Sequence, residues 1–333
     1  MFVPPLGFIL PEDRTPEQEA AHEKACAGIP RFTSLPNAAA LLRSAEIPIG
    51  TKVMLTDTWK HPDVIADIGQ EFTGFGQYDG SCVGVSTGNG VSTISFIQRL
   101  IADAPTKAMV MFWPFNYGRL RVREGDRGPG EGAVVSMMDE CLVEEGFFDI
   151  SLPGLPSFRW DADGIWIEGG RNKERSLSYL PHPDPEWVAA AAPNKGLTRT
   201  DISSVDQMIA SIINGCPVLN GCSMFPGGGT VVSRAGGSYV RGRYDTRGGH
   251  ATMRCAVWHH PNDGILIGYS NQWPTSVYPK DPAGLGRCCV WMTIAEEERM
   301  LRQLGGSRGE TYAISHVPGI PIQPKVLDMF IAP

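Results

Sequence analysis

The sequence predicts an α+β fold of two lobes around one cleft, a helical N-terminal lobe and a mainly antiparallel β C-terminal lobe. Three observations carry that prediction. Helix patterns dominate up to residue 150, and strand patterns follow residue 200. Between them, Ser151 to Thr200 is rich in Pro, Gly, Trp and charge and reads as a long decorated connection. The division expected is therefore 1–55, an N-terminal arm with short helices; 56–150, the helical lobe; 151–200, the connection; and 201–333, the β lobe. A chain of 333 residues is long enough to bury a substantial core in this way.

Each element has a local cause. Thr15-Pro-Glu-Gln18 is a capping box with proline at the first helical position, and Gly28 is a natural stop, which predicts a helix over 16–27. A second short helix is predicted over Asn37 to Ala45, within an arm broken by Pro4, Pro5, Pro11, Pro30 and Pro36 that reads as a strap on the main body. After Gly80-Ser81-Cys82, apolar residues at Val91, Ile94, Phe96, Ile97, Leu100 and Ile101 suit a largely buried helix, although Gly88 and Gly90 weaken its first turns. Ala133 to Glu145 carries Val134, Met137, Met138, Cys141 and Leu142 at helical spacing and stops at Gly146. Ser204-Val-Asp-Gln207 opens a helix that Gly215 closes, with a strand from Pro217 to Asn220 directly behind it. A hairpin turns around Asp161-Ala-Asp-Gly164, and strands are predicted at 250–258, 265–270 and 287–293.

Composition narrows the function classes. Lys and Arg total 29 against 36 Asp and Glu, a formal charge of −7, which does not match the basic footprint of a nucleic-acid binder. No window reaches the roughly 18 consecutive apolar residues of a membrane helix. Met1-Phe-Val-Pro-Pro5 lacks a basic segment leading into an apolar run, so no Sec signal is expected, and the chain is placed in the cytoplasm or within a protein assembly. Both termini are expected to be held by the chain's own core or by a partner. Cysteines at 26, 82, 141, 216, 222, 255, 288 and 289 show no CxxC spacing and no dense framework, which favours reduced thiols.

A cysteine at a helix N-terminus sits near unpaired N–H groups and the positive end of the dipole, which favours the nucleophilic thiolate. Cys82 has that placement. Such a thiolate needs an imidazole to exchange protons with the reacting groups and a polar group to orient the ring. Of the seven histidines, His250 alone follows a Gly248-Gly249 pair and opens a strand, and the next strand ends in Ser270-Asn271-Gln272-Trp273. Two adjacent antiparallel strands would bring Asn271 beside His250, with Trp273 shielding their hydrogen bond.

With these residues in order, the chain resembles the papain-like cysteine peptidases, closest in pattern to the bacterial branch, from about Thr56 to Glu298. Gln77-Tyr-Asp-Gly-Ser-Cys82 is similar to the family's nucleophile motif, Gly249-His250-Ala251 to its histidine motif and Asn271-Gln272-Trp273 to its Asn-Ser-Trp. Phe112 to Tyr117, the helix from Gly132-Ala133 to Phe147 and the helix and strand from Val205 to Asn220 are similar to the intervening chain. The resemblance implies a papain-like two-lobed fold and peptide or amide hydrolysis of a peptide or protein substrate. It implies Cys82 as nucleophile, His250 as base, Asn271 as orienter, an oxyanion hole from Gln77 and the N–H of Cys82, and support from Trp273 and Gly249. No cofactor and no metal are implied. The departures bear on activity: Gln77 stands five residues before Cys82 rather than the family's six, Val83 replaces an aromatic, Gln272 a serine and Pro274 a glycine, and Asp79 places a carboxylate near the thiolate. A carboxylate there raises the cysteine pKa unless it points away.

Two other functions fit the same residues. One is a weak or inactive papain-like domain serving as a structural component of an assembly such as a virus particle, bound to other protein subunits. The other is acyl transfer or cell-wall peptide cleavage on the same scaffold. Other motifs read more simply. Gly84-Val-Ser-Thr-Gly88 matches a nucleophile elbow but lacks the strand that must run into it. Cys288-Cys289 with His259-His260 is a poor zinc set, because adjacent residues point to opposite faces of a strand. Pro226-Gly-Gly-Gly229 reads as a flexible loop beside the cleft, Trp258, Trp273 and Trp291 as core or cleft wall, and Arg119, Arg121 and Arg123 as the solvated face of a strand.

Overall fold

The computed structural model describes residues 9–28, 47–101, 107–162, 164–196, 198–273, 277–286, 288–303 and 310–316. Both chain ends, the helix expected over Asn37 to Ala45, and Pro274 lie outside these. The first helix, α1 (Pro16–Gly28), starts at the capping box: Thr15 Oγ1 accepts from the N–H of Gln18 at 3.2 Å, and Gln18 Oε1 accepts from the N–H of Thr15 at 3.0 Å. It is held on the body by a buried Arg14–Glu310 ion pair and by His22, whose Nδ1 lies 2.5 Å from Ser136 Oγ.

The helical lobe comprises α2 (Pro62–Ile68), α3 (Cys82–Ile101), α4 (Trp113–Arg123) and α5 (Val135–Glu144). α3 is buried along almost its whole length. Its glycines act through space rather than through helix propensity. A Cβ at Gly84 would lie 2.7 Å from the Trp113 ring and 2.8 Å from Tyr117, and one at Gly88 would lie 2.9 Å from Trp113. Missing side chains on one face thus let α4 approach closely.

α4 corrects the reading of Arg119, Arg121 and Arg123, which belong to a helix and not to a strand. Pro114 in the first turn and an apolar start outweigh three residues of alternation. Nor are the arginines merely solvated. Arg121 is buried and donates to the Gly132 carbonyl at 2.8 Å, while Arg119 and Arg123 pair with Glu145, each at 2.8 Å.

The connection forms a hairpin, β2 (Phe158–Asp161) and β3 (Gly164–Ile167), followed by α6 (Gly170–Leu177) and α7 (Pro185–Ala191). Beyond it come β4 (Thr198–Asp201), α8 (Val205–Ile213), β5 (Val218–Val232), β6 (Tyr239–His260), β7 (Gly264–Ser270), β8 (Cys289–Thr293), α9 (Ile294–Gln303) and β9 (Thr311–His316). Ser204 caps α8, accepting from the N–H of Gln207 at 3.2 Å. The strand order is β4-β9-β5-β6-β7-β8, with β1 (Lys52–Met54) also paired to β6. The long β6 pairs with β7 through its second half, while Arg241 near its start pairs in parallel with Trp291 of β8, so the sheet curls towards a half-barrel. Pro226 to Gly229, expected as a flexible loop, is part of β5, with Gly229 opposite Gly242 of β6. Between Pro226 and Gly229 the register shifts, and the N–H of Gly227 donates to Asp245 Oδ1 at 2.9 Å.

Candidate active site

Cys82 is the first residue of α3 and is fully buried. The turn before it is fixed at Gly80, whose carbonyl accepts from the Tyr117 hydroxyl at 2.9 Å and from the N–H of Gly132 at 3.0 Å. α3 lies against β6, and the N–H of Ala251 donates to Cys82 Sγ over 3.2 Å. The sulfur therefore sits beside the backbone of the residue that follows His250.

A bulge aims His250. Cys222 of β5 pairs with His250 and Met224 pairs with Arg247, so Ser223 faces two residues, Gly248 and Gly249. Gly248 has φ +141°, a conformation that suits glycine. The His250 ring stacks on Trp273 at 4.7 Å and 22° and meets the edge of Phe225 at 5.2 Å. Its Nε2 lies 2.9 Å from Asn271 Oδ1.

Asn271 follows β7. Its N–H donates to the Cys288 carbonyl at 3.0 Å, its Nδ2 donates to the Tyr278 hydroxyl at 2.7 Å, and that hydroxyl donates to the Pro226 carbonyl at 2.6 Å. The chain of donors sets the tautomer: with Nδ2 committed to Tyr278, Oδ1 accepts, so the His250 proton is on Nε2 and the lone pair on Nδ1. Nδ1 has no hydrogen-bond partner among the described residues. Burial lowers the His250 pKa to about 4 against the opposing effect of the Asn271 hydrogen bond, so the resting ring is neutral.

The nucleophile loop is tied by hydrogen bonds of Gln77. Gln77 is buried; its N–H donates to the Gln272 carbonyl at 3.1 Å, and its Nε2 donates to the Asp79 carbonyl at 3.0 Å. One of the two Nε2 donors of the side chain expected to serve an oxyanion thus goes to its own loop, which is one residue shorter than the family motif. Asp79 lies against Arg171 of α6, with Nη2 at 2.9 Å. Burial pushes its carboxyl up, but bonds from Glu131 and Arg171 outweigh this, and its pKa is lowered.

Cys82, His250, Asn271 and Trp273 are thus brought together, with Gly249 in the bulge beside them. Tyr278, Phe225, Arg171 and Glu174 were missed. Tyr278 and Phe225 carry no local motif, and four of the eight residues of Gly170–Leu177 are charged, so nothing local signals the burial of Glu174. The imidazoles of the candidate zinc set are used by backbone: His259 Nδ1 lies 2.6 Å from the Ile47 carbonyl, and His260 Nε2 lies 3.1 Å from that of Gly237. Among the described residues no group of three or more His, Cys, Asp or Glu could hold a metal, and no helix is long and apolar enough to cross a membrane.

No family model matches the sequence, and no curated protein resembles it in sequence. Solved structures do resemble it. The chain is similar to xylellain, a cysteine protease from Xylella fastidiosa, at 15% identity and a TM-score of 0.52 over 93% of this chain and 95% of that one. It is also similar to procathepsin B S9 from Trypanosoma congolense, at 10% identity and a TM-score of 0.50 over 93% of this chain and 91% of that one. At such identities the likeness speaks to the fold. Together with the helical lobe and the curled antiparallel sheet, it establishes that this chain has the papain-like two-lobed α+β fold.

Proposed function

We propose that the chain is a cysteine-type peptidase or amidase that hydrolyses peptide bonds. The observation that carries this reading is the His250 ring: Asn271 engages Nε2, Nδ1 keeps its lone pair, and Cys82 lies against the adjacent residue of the same strand. Cys82 sulfur attacks the carbonyl carbon, and its proton passes to His250 Nδ1. The Cys82 N–H stabilises the oxyanion. His250 then protonates the leaving amine, and water hydrolyses the thioester. Gln77 Nε2 carries two N–H donors and gives one to the Asp79 carbonyl, so the second is the one that would serve the oxyanion. A missing donor of this kind costs about 100- to 1000-fold in rate.

The full burial of Cys82 and His250 favours a second reading, an architectural papain-like domain with weak or no catalysis in a larger assembly. The separating experiment is the rate of Cys82 alkylation by iodoacetamide across pH in the native chain and in His250→Ala. Reaction well below the ordinary thiol pKa of about 8.5 that disappears without His250 supports the peptidase. An ordinary or inert thiol in both supports the architectural role. Product analysis with an added amine distinguishes hydrolysis from acyl transfer.

A further inference from the structure

We infer that Glu174, carried by the connection between the lobes, is a positioning residue that holds the loop between Gln77 and Cys82 in its working shape. The inference rests on the peptidase reading of that loop. Glu174 is 1% exposed, although it belongs to a helix dominated by charged residues. Its Oε2 accepts from the N–H of Tyr78 at 3.0 Å, and its Oε1 accepts from the N–H of Asp79 at 2.9 Å and from the hydroxyl of Ser81. One carboxylate therefore takes two consecutive main-chain donors and the side chain preceding the nucleophile. Such a loop cannot rotate its peptides without leaving a buried carboxylate unpaired, which is costly.

The rest of the connection grips the same segment. The N–H of Gly76 donates to the Ile165 carbonyl at 3.0 Å, and the N–H of Ile165 donates to the Gly74 carbonyl at 2.8 Å, which splices β3 onto the loop. A Cβ at Gly76 would lie 2.4 Å from the Trp166 ring, so the hairpin is seated directly on the backbone. Arg171, one helical turn before Glu174, bonds both Asp79 and Glu131. Within the connection, Glu174 is the side chain that bonds the main chain between the oxyanion candidate and the cysteine, and that stretch must place the Cys82 N–H and the Gln77 amide when charge develops on the substrate oxygen. Alkylation of Cys82 by iodoacetamide develops no such oxyanion, so it depends on the sulfur and on His250 but not on this geometry.

The test is Glu174→Gln, whose amide nitrogen places a donor against a donor at one carboxylate position, with Ser81→Ala as a second variant should the first not fold. Three quantities are read on each: hydrogen exchange of the peptide spanning 77–82, kcat and KM on fluorescein-labelled casein, and the rate of Cys82 alkylation. The expected result is exchange at 78–79 faster by about tenfold or more, kcat lower by about tenfold to 100-fold at unchanged KM, and unchanged alkylation. Unchanged exchange, or faster exchange with full kcat, overturns the inference. Should the native chain alkylate ordinarily and cleave nothing, the peptidase reading fails, and the exchange result alone then decides whether Glu174 holds the loop.

Discussion

The N–H of Ala251 donates to the sulfur of Cys82 over 3.2 Å, joining the first residue of a buried helix to the strand that carries His250. A hydrogen bond to sulfur favours the thiolate, as does the helix N-terminus. Burial instead pushes the thiols of Cys222 and Cys255 up to about 12. Peptide mapping after brief iodoacetamide treatment of the folded chain at pH 7 is expected to find label on Cys82 before either of these. Equal labelling of all three only after unfolding is the contrary outcome.

Tyr278 is expected to matter through Asn271, whose Nδ2 donates to its hydroxyl. Tyr278→Phe removes the acceptor of Asn271 Nδ2 and the donor to the Pro226 carbonyl, leaving buried polar groups unpaired at about 1–3 kcal/mol. It also leaves the Asn271 amide held at Oδ1 alone, by the N–H of Gln272 at 2.8 Å and by His250. A positioned acid–base group contributes about 100- to 10,000-fold, and losing its alignment is expected to forfeit about tenfold of that in kcat. Kinetics on casein with a melting curve of the variant check both effects, and a variant with native kcat contradicts the tautomer argument.

Stability is expected to fall as pH rises from 6.5 to 8. Burial raises the carboxyls of Glu124 to about 8 and of Glu174 and Glu310 to about 7, so in this window the folded chain binds protons that the unfolded chain has released. For these acids stability is present below the unfolded pKa and is lost as pH climbs through the folded value. His250 acts in the other direction and lower down. Its folded pKa of about 4 lies under the ordinary 6.5, so it reduces stability as pH falls from 6.5 to 4. Calorimetry at pH 6.5, 7.2 and 8 reads the slope, and Glu124→Gln is expected to flatten it; a rising or flat melting temperature in the native chain contradicts the assignment.

Arg254 and Glu297 form a buried pair at 3.4 Å, and Arg254 also donates to Asn220 Oδ1 at 3.0 Å and Thr252 Oγ1 at 2.7 Å. Removing one partner strands a buried charge, so Arg254→Met is expected to cost about 3–5 kcal/mol in chemical denaturation. Joint replacement of Arg254 and Glu297 by Met should cost less than the sum of the two single changes. Additive losses would show that the pair is not coupled.

Gly84→Ala tests the helix contact behind the cysteine. The new methyl would lie 2.7 Å from Trp113 and 2.8 Å from Tyr117, and overpacking of this kind costs about 1–3 kcal/mol, more than the better helix propensity of alanine returns. A variant more stable than the native chain would show that α4 can move away.

How much was legible follows from the range of the interactions. The capping boxes at Thr15 and Ser204, the stops at Gly146 and Gly215 and the hairpin around Gly164 depend on neighbours a few residues apart, and they appear where the sequence put them. So do the helix beginning at Cys82 and the order of cysteine, histidine and asparagine, and with them the fold class. Short windows misled where packing decided: the alternating arginines of α4 sit in a helix that buries Arg121, and the glycines after Pro226 sit in a strand that β6 completes. The sequence by itself therefore determined the elements, the fold class and the residue types of the site, because periodicity, caps and chain order are local or linear properties. Only the tertiary structure decided which His250 nitrogen keeps its lone pair, where the Gln77 amide points and that Glu174 is buried under the nucleophile loop, because each depends on partners brought together from distant parts of the chain.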